Sequence, residues 1–202
     1  PDTPLAAGPP LAPSPYWGDE AIWTSRANAH NPMLDHRGRL WLTSRVRPRE
    51  NPAFCRDGSD HPSARQFPVT GSGRHLAMYD PETEEYALIS TCFSTHHLVF
   101  AEDDDHTLWT SGGGQVIGWL NTKMFDETGD EQQSQGWTAL VLDTNGNGKR
   151  DAYVEPDEAP DSSKDTRVRS GYYGVAVSPV DGTIWGSSLG FPGAILRLDP
   201  GP

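Results

Sequence analysis

One stretch of the chain carries oxygen-bearing side chains at regular intervals around a glycine. Counting from Asp143, they fall at positions 1, 3, 5 and 9 with Gly148 at position 6, which is the spacing of a calcium-binding loop. Position 12 is Val154 and not glutamate, so we expect a Ca²⁺ loop that fixes a long insertion and no helix-loop-helix hand. The alternative is an Asn-Gly hairpin turn without an ion. The expected ligands are Asp143, Asn145, Asn147, the carbonyl of Lys149, and Asp151.

All seven histidines lie before residue 107. Two of them, His30 and His97, each open a segment that ends in Leu-Trp-x-Ser/Thr. Imidazole ligates divalent transition metals and titrates near neutral pH, so this pair predicts metal ligands or a general base. The neighbouring His96 is expected to point to the other side of a strand. Alternatively, the two histidines line a polar channel and bind water or backbone groups.

Two arginines precede repeated segments at nearly the same distance. Arg26 lies four residues before His30, and Arg169 lies five residues before Gly174. A guanidinium can bind a carboxylate or phosphate through two hydrogen bonds, so both are candidate ligand-binding residues. The alternative is that each pairs with a local Asp or Glu.

The two cysteines, Cys55 and Cys92, predict either one disulfide or two inert thiols. A disulfide would close a long loop and stabilise the fold by about 3–4 kcal/mol. The composition favours a secreted or periplasmic protein, although the sequence shows no signal-like apolar stretch at its start.

Charge and composition exclude several classes of protein. The formal net charge is −12 and no basic stripe is present, so we expect no nucleic-acid partner. No run of eighteen apolar residues occurs, so we expect no membrane insertion. The sequence has no Gly-x-Ser-x-Gly, P-loop, dinucleotide or His-Glu-x-x-His motif, and no covalent nucleophile stands out.

Short β-branched and aromatic runs between turn residues predict an all-β protein. The one helical candidate spans residues 123–135, and residues 1–15, with six prolines, are expected to form an extended lead-in to a domain over 16–202. The predicted strands are 40–43, 86–89, 98–101, 107–110, 116–120, 139–142, 174–177, 183–187 and 194–198.

Three segments repeat in the same order of strand, acidic or glycine turn, and strand. Trp41, Trp109 and Trp185 close the second strand of each, and we expect them in the core. A further strand ending in Asp-Pro follows the first and third segments, at Asp80 and Asp199. Such units stack around an axis, which predicts a β-propeller of four-stranded antiparallel blades with about three blades present. The excess length lies in insertions at about 46–74 and 121–170.

The repeated segments NPMLDHRGRLWLTS, HHLVFAEDDDHTLWTS and GVAVSPVDGTIWGSS resemble the blade motif of streptogramin-lyase-like (virginiamycin B lyase-like) propellers. The resemblance covers about a third of the chain and implies a partial propeller. It also implies a role in catalysis or metal binding for His30 and His97. Since propellers usually have four to eight blades, we expect the rest of the ring from the same protein or from self-association.

Two functions fit these features. The first is an extracytoplasmic, Ca²⁺-stabilised binding or scaffold module whose insertions recognise a small-molecule or protein ligand. The second is a lyase or hydrolase that acts on a small molecule in the channel, with a second divalent metal and with His30 and His97 as ligands or general base. The fold alone does not decide between them. The sequence favours the binding module, because it shows no complete catalytic set.

Overall fold

The computed structural model describes residues 29–112 and 114–201, in which fourteen short strands and three short helices form. Arg26 and the lead-in predicted for residues 1–15 lie outside these ranges. The chain is all-β in these ranges, as the sequence predicts, and its strands form three larger sheets and one small one.

The first sheet is an antiparallel meander in which each strand pairs with the next. Its first turn forms because Asp35 Oδ1 accepts from the backbone N–H of Arg37 and Arg39, and because Gly38 adopts a φ of 78° that favours glycine. The strands are β1 (His30–Leu34), β2 (Leu40–Ser44), β3 (His75–Asp80) and β4 (Glu85–Ile89).

The second sheet is also an antiparallel meander, but two short helices interrupt it before its last strand. The Asn121 side chain caps the first helix, Gly129 ends it in the left-handed conformation, and Asp130 caps the second. The elements are β5 (His97–Phe100), β6 (Leu108–Ser111), β7 (Val116–Leu120), the helices α2 (Thr122–Thr128) and α3 (Glu131–Ser134), and β8 (Gln135–Ala139).

Two further sheets follow. The small sheet is mixed, since its central strand pairs antiparallel with one neighbour and parallel with the other. The third sheet is antiparallel and has three strands. The small sheet consists of β9 (Val141–Leu142), β10 (Tyr153–Val154) and β11 (Asp165–Arg167), and the third of β12 (Tyr172–Val177), β13 (Ile184–Ser188) and β14 (Ile195–Leu198).

The two predicted insertions contain regular elements. Residues 46–74 lie between β2 and β3 and contain a 3₁₀ turn (Ala53–Cys55) and the helix α1 (Pro62–Gln66). The insertion predicted at about 121–170 contains β8, which pairs with β7 from Val116↔Ala139 to Leu120↔Gln135. The helices α2 and α3 turn the chain back, so that β8 completes the second sheet.

The first strands of the three larger sheets lie next to one another, since β5 contacts both β1 and β12. Apolar side chains fill the spaces between these sheets. Trp41 is 0% exposed between the first and second sheets, and Trp109 is 7% exposed between the second and third. Trp185 is 41% exposed, so the prediction that it lies in the core is wrong for the part of the chain that the structure describes. The second and third sheets cover Trp41 and Trp109, respectively. Among the described residues, no further sheet covers Trp185 in the same way.

Candidate metal centre

The packing of β1 against β5 brings three histidines together. His30 is the first residue of β1 and His97 is the first residue of β5. Asn31 adopts a φ of 49°, and its side chain accepts from the N–H of Leu98 at 2.9 Å, which ties the two strands together. Thr43 Oγ1 lies 3.1 Å from the carbonyl oxygens of both His30 and His96. These contacts fix the backbone on both sides of the cluster.

The imidazole rings of His30, His96 and His97 pack closely. The centroids of His30 and His96 are 4.5 Å apart in a stacked arrangement, and those of His96 and His97 are 4.3 Å apart. One ring nitrogen from each residue lies within 4.8 Å of the other two. That separation suits three ligands of a single metal ion after small rotations of the side chains.

Two of the ring nitrogens are buried and have no hydrogen-bond partner among the described residues: His30 Nε2 and His96 Nδ1. Buried polar atoms normally have partners, so these two nitrogens are available to a further group. His97 Nδ1 lies 2.9 Å from the carbonyl oxygen of Tyr173, which can only accept. His97 therefore donates from Nδ1, and Nε2 is the nitrogen left to face a ligand, which is the usual arrangement of a metal-bound histidine and its outer partner.

The surroundings of His96 favour a neutral ring. Burial lowers the pKa of His96, and the charges of His97, His30 and Arg74 lower it further. A neutral imidazole has the free electron pair that a metal ligand needs. The fit is therefore chemical as well as geometric, because the ring nitrogens of three imidazoles can face one position.

The structure corrects the expected orientation of His96. The alternation of side chains applies within a strand, but β5 begins at His97, and His96 lies in the preceding loop. The N–H of His96 donates to the carbonyl of Ser111, and its ring turns towards His30 and His97. Sequence reasoning missed this third histidine, although its position next to a candidate ligand was a signal.

The third sheet contributes Tyr173 to this site. Its carbonyl accepts from His97 and from the Ser111 hydroxyl, and its ring centroid lies 5.0 Å from those of both His96 and His97. Arg169 is exposed, and no ion pair joins it to a residue that the structure describes. Its predicted role in ligand binding stays a prediction, as does that of Arg26.

The candidate calcium loop lies away from the strand junction, next to the small sheet. Asp143 Oδ1 accepts from the N–H of Gly146 at 2.7 Å, and its Oδ2 accepts from Gly148 at 2.8 Å. The Asn145 amide donates to Asp151 Oδ2 at 2.9 Å, and Asn147 donates to the same oxygen. Lys149 donates its backbone N–H to Asn147 Oδ1 at 2.8 Å. The predicted ligand residues thus form one compact turn.

Cys55 and Cys92 are joined in a disulfide with a Cα–Cα distance of 5.4 Å. Both cysteines are fully buried and pack with Phe93 and Trp137. The bond fixes residues 46–74 to the loop that leads into β5. It therefore supports the backbone just before His96.

Comparison with known proteins finds no relative of this chain. No family model matches the chain, and neither does any curated protein or solved structure. Among the residues that the structure describes, no helix has the length and apolar character needed to cross a membrane.

Proposed function

We propose that the three larger sheets are blades of a β-propeller and that their first strands line its channel. The support is the shared order of strands, the repeat-equivalent tryptophans in β2, β6 and β13, and the contacts of β5 with β1 and β12. The resemblance of the repeated segments to streptogramin-lyase-like propellers supports the same fold. A closed ring needs further blades, which a longer chain or a second copy would supply.

We further propose that His30, His96 and His97 bind one divalent transition metal ion in that channel. The observation that carries this proposal is the convergence of one ring nitrogen from each histidine within 4.8 Å. The same histidines contain two buried ring nitrogens that have no partner among the described residues. An all-imidazole set suits Zn²⁺ and related ions and leaves a fourth position open for water or substrate.

The best-supported activity is metal-dependent elimination or hydrolysis of a small molecule. A divalent ion at this site would polarise a carbonyl or ester oxygen. His97 is oriented by the carbonyl of Tyr173, and the other two rings are packed against it, so the donor set is held in place before a ligand arrives. The sequence indicated two candidate histidines, and the structure brings a third beside them. For this reason we place this activity ahead of a binding module.

The second candidate is the extracytoplasmic binding module, with calcium in a structural role. It is favoured by the insertion at residues 46–74, which the disulfide joins to the loop before β5 and in which α1 contacts β8. The disulfide also supports a secreted or periplasmic location, because such bonds persist in oxidising compartments.

The test is titration of metal-free protein with Zn²⁺, and with Co²⁺ as a spectroscopic probe. We expect one equivalent to bind and Co²⁺ to give the visible bands of a tetrahedral site. His97→Ala should weaken binding by more than the roughly 10–100-fold that loss of an outer partner costs. His106→Ala is the control, since His106 stacks on His36 and not on the cluster.

Unchanged Zn²⁺ affinity in His30→Ala, His96→Ala and His97→Ala would contradict the metal site. Turnover of simple esters or lactones that requires the metal and His97 would support the enzyme. Tight metal binding without turnover of these substrates would favour the binding module.

A further inference from the structure

We propose that Asp165 completes a Ca²⁺ site together with the loop at residues 143–151. It would supply the carboxylate that this loop lacks at position 12, where the chain has Val154. The site is separate from the histidine cluster, so the inference can fail or succeed independently of the metal centre and activity proposed there.

The strand register places Asp165 opposite the first residue of the loop. In the antiparallel pair of β9 and β11, Leu142 faces Thr166 and Val141 faces Arg167. Continuing this register sets Asp143 opposite Asp165, and residues that face each other in an antiparallel pair project to the same side of the sheet. The first ligand of the loop and Asp165 therefore start from adjacent positions.

The last ligand of the loop lies next to the same carboxylate. Asp165 Oδ2 accepts from the backbone N–H of Asp151 at 2.8 Å, and the Asp165 N–H donates to the carbonyl of Ala152 at 3.0 Å. The parallel pairing of Tyr153 with Asp165 holds this arrangement. Asp165 thus lies between the two ends of the loop, near Asp143 on one side and Asp151 on the other.

An independent observation indicates that the Asp165 carboxylate binds a further group. Asp165 is 0% exposed, and its Oδ1 is buried without a hydrogen-bond partner among the described residues. Burial lowers the pKa of the Arg150 guanidinium, while the charges of Tyr153 and Asp165 act to raise it. Arg150 Nη1 donates to the carbonyl of Ala139, and no ion pair joins Arg150 to Asp165. A buried carboxylate oxygen without a partner is costly, and a bound cation would offset that cost.

The donor set fits Ca²⁺ in number and type. Three carboxylates, two side-chain amides and one backbone carbonyl give six oxygen donors, and Ca²⁺ takes six to eight. All are hard oxygen donors, which separates this site from the nitrogen donors of the histidine cluster. The donors are Asp143, Asn145, Asn147, the Lys149 carbonyl, Asp151 and Asp165.

The test uses the full chain, CaCl₂ as the probe, and Asp165→Asn beside the control Asp157→Asn. Asp157 is an exposed carboxylate between β10 and β11. We expect wild type and control to bind one Ca²⁺ and to melt at higher temperature with Ca²⁺ than with EGTA. Asp165→Asn should lose about tenfold or more in Ca²⁺ affinity, because ligand charge sets the affinity of such sites.

A second readout separates a ligand from a structural residue. Asparagine keeps an oxygen to accept from the Asp151 N–H and removes the buried charge. In EGTA, Asp165→Asn should therefore melt at the same or a higher temperature than wild type, while in Ca²⁺ it should melt at a lower one. Unchanged Ca²⁺ affinity in Asp165→Asn would overturn the role of Asp165. Absence of Ca²⁺ binding by the wild type at millimolar concentration would overturn the whole site.

Discussion

The histidine cluster and the loop at residues 143–151 both gather metal-type donors, but they do so in different ways. His30 and His96 are 66 positions apart in the chain and meet only because β1 packs against β5. The loop ligands lie within nine consecutive residues and bond mainly to backbone N–H groups of the same turn. The first site therefore depends on how sheets pack, whereas most of the second is determined locally.

This difference has an energetic consequence. Contacts inside a short turn survive small changes elsewhere, because they require little order in the rest of the chain. Donors from two sheets move whenever the interface between those sheets relaxes, and a displacement of about 1 Å is enough to weaken a preorganised site. Variants of the sheet interface should therefore affect the two sites unequally.

The largest effect is expected for Trp41→Ala. Trp41 is fully buried between the first and second sheets, and its Nε1 donates to Asp35 Oδ2 at 2.9 Å. Its truncation should lower the free energy of unfolding by about 3–5 kcal/mol, which chemical denaturation measures. It should also weaken Zn²⁺ binding by the histidines and leave Ca²⁺ binding by the loop unchanged.

The matched control is Trp185→Ala in the third sheet. Trp185 occupies the equivalent position in β13 but is 41% exposed, so we expect a loss of about 1 kcal/mol or less. Equal losses for the two variants would contradict the packing difference between the sheets. Equal weakening of Zn²⁺ and Ca²⁺ binding in Trp41→Ala would contradict the claim that the histidine cluster depends more on sheet packing than the loop does.

Acid is expected to lower the free energy of unfolding by a smaller amount, because His75 is buried in the first sheet. Burial, followed by the charges of Arg47 and Arg45, lowers the pKa of His75 from 6.5 to about 3. Its ring accepts from the Val46 N–H at 3.3 Å and lies 3.0 Å from Ser72 Oγ. Between these pKa values the unfolded chain binds the proton and the folded chain does not. The free energy of unfolding should therefore fall as the pH falls, by about 1 kcal/mol between about pH 7 and pH 5.5 from this group alone.

Comparison with His75→Gln isolates that contribution. Without metal, this variant should be less stable than wild type near neutral pH and should lose less stability on acidification. The loop should resist the same acidification, because side-chain hydrogen bonds from Asn145 and Asn147 lower the pKa of Asp151. Identical pH dependence of unfolding in wild type and His75→Gln would show that His75 does not contribute.

The sequence predicted the local parts of the fold well. Alternating β-branched residues and turns located most strands, such as β7 over Val116–Leu120, and the polar run at 123–135 folds into two short helices. The compact turn around Asp143 could also be predicted, because its residues are consecutive. These features depend on near neighbours in the chain.

The parts that sequence reasoning missed depend on distant packing. The position of His96 depends on where β5 begins, and Tyr173 reaches His97 only because β12 packs against β5. The role proposed for Asp165 rests on the register of β11 with β9, which no spacing rule indicates. The exposure of Trp185 depends on which part of the protein packs on the third sheet, and the residues around Trp185 do not indicate this.

The smallest effect is expected for Thr144→Val at the start of the loop. Thr144 Oγ1 lies 3.3 Å from the Lys164 carbonyl and 3.1 Å from Thr166 Oγ1, so it links the start of the loop to the strand that carries Asp165. Both contacts are exposed, and valine keeps the branched shape, so the loss of stability should be about 0.5 kcal/mol. Calorimetry should show a severalfold loss of Ca²⁺ affinity and no change in Zn²⁺ affinity. The control is Thr128→Val, which removes an exposed hydroxyl bond to the Met124 carbonyl in α2 and should change neither affinity. If both threonine variants bind Ca²⁺ like wild type, the Thr144 contacts with Lys164 and Thr166 do not contribute to Ca²⁺ binding.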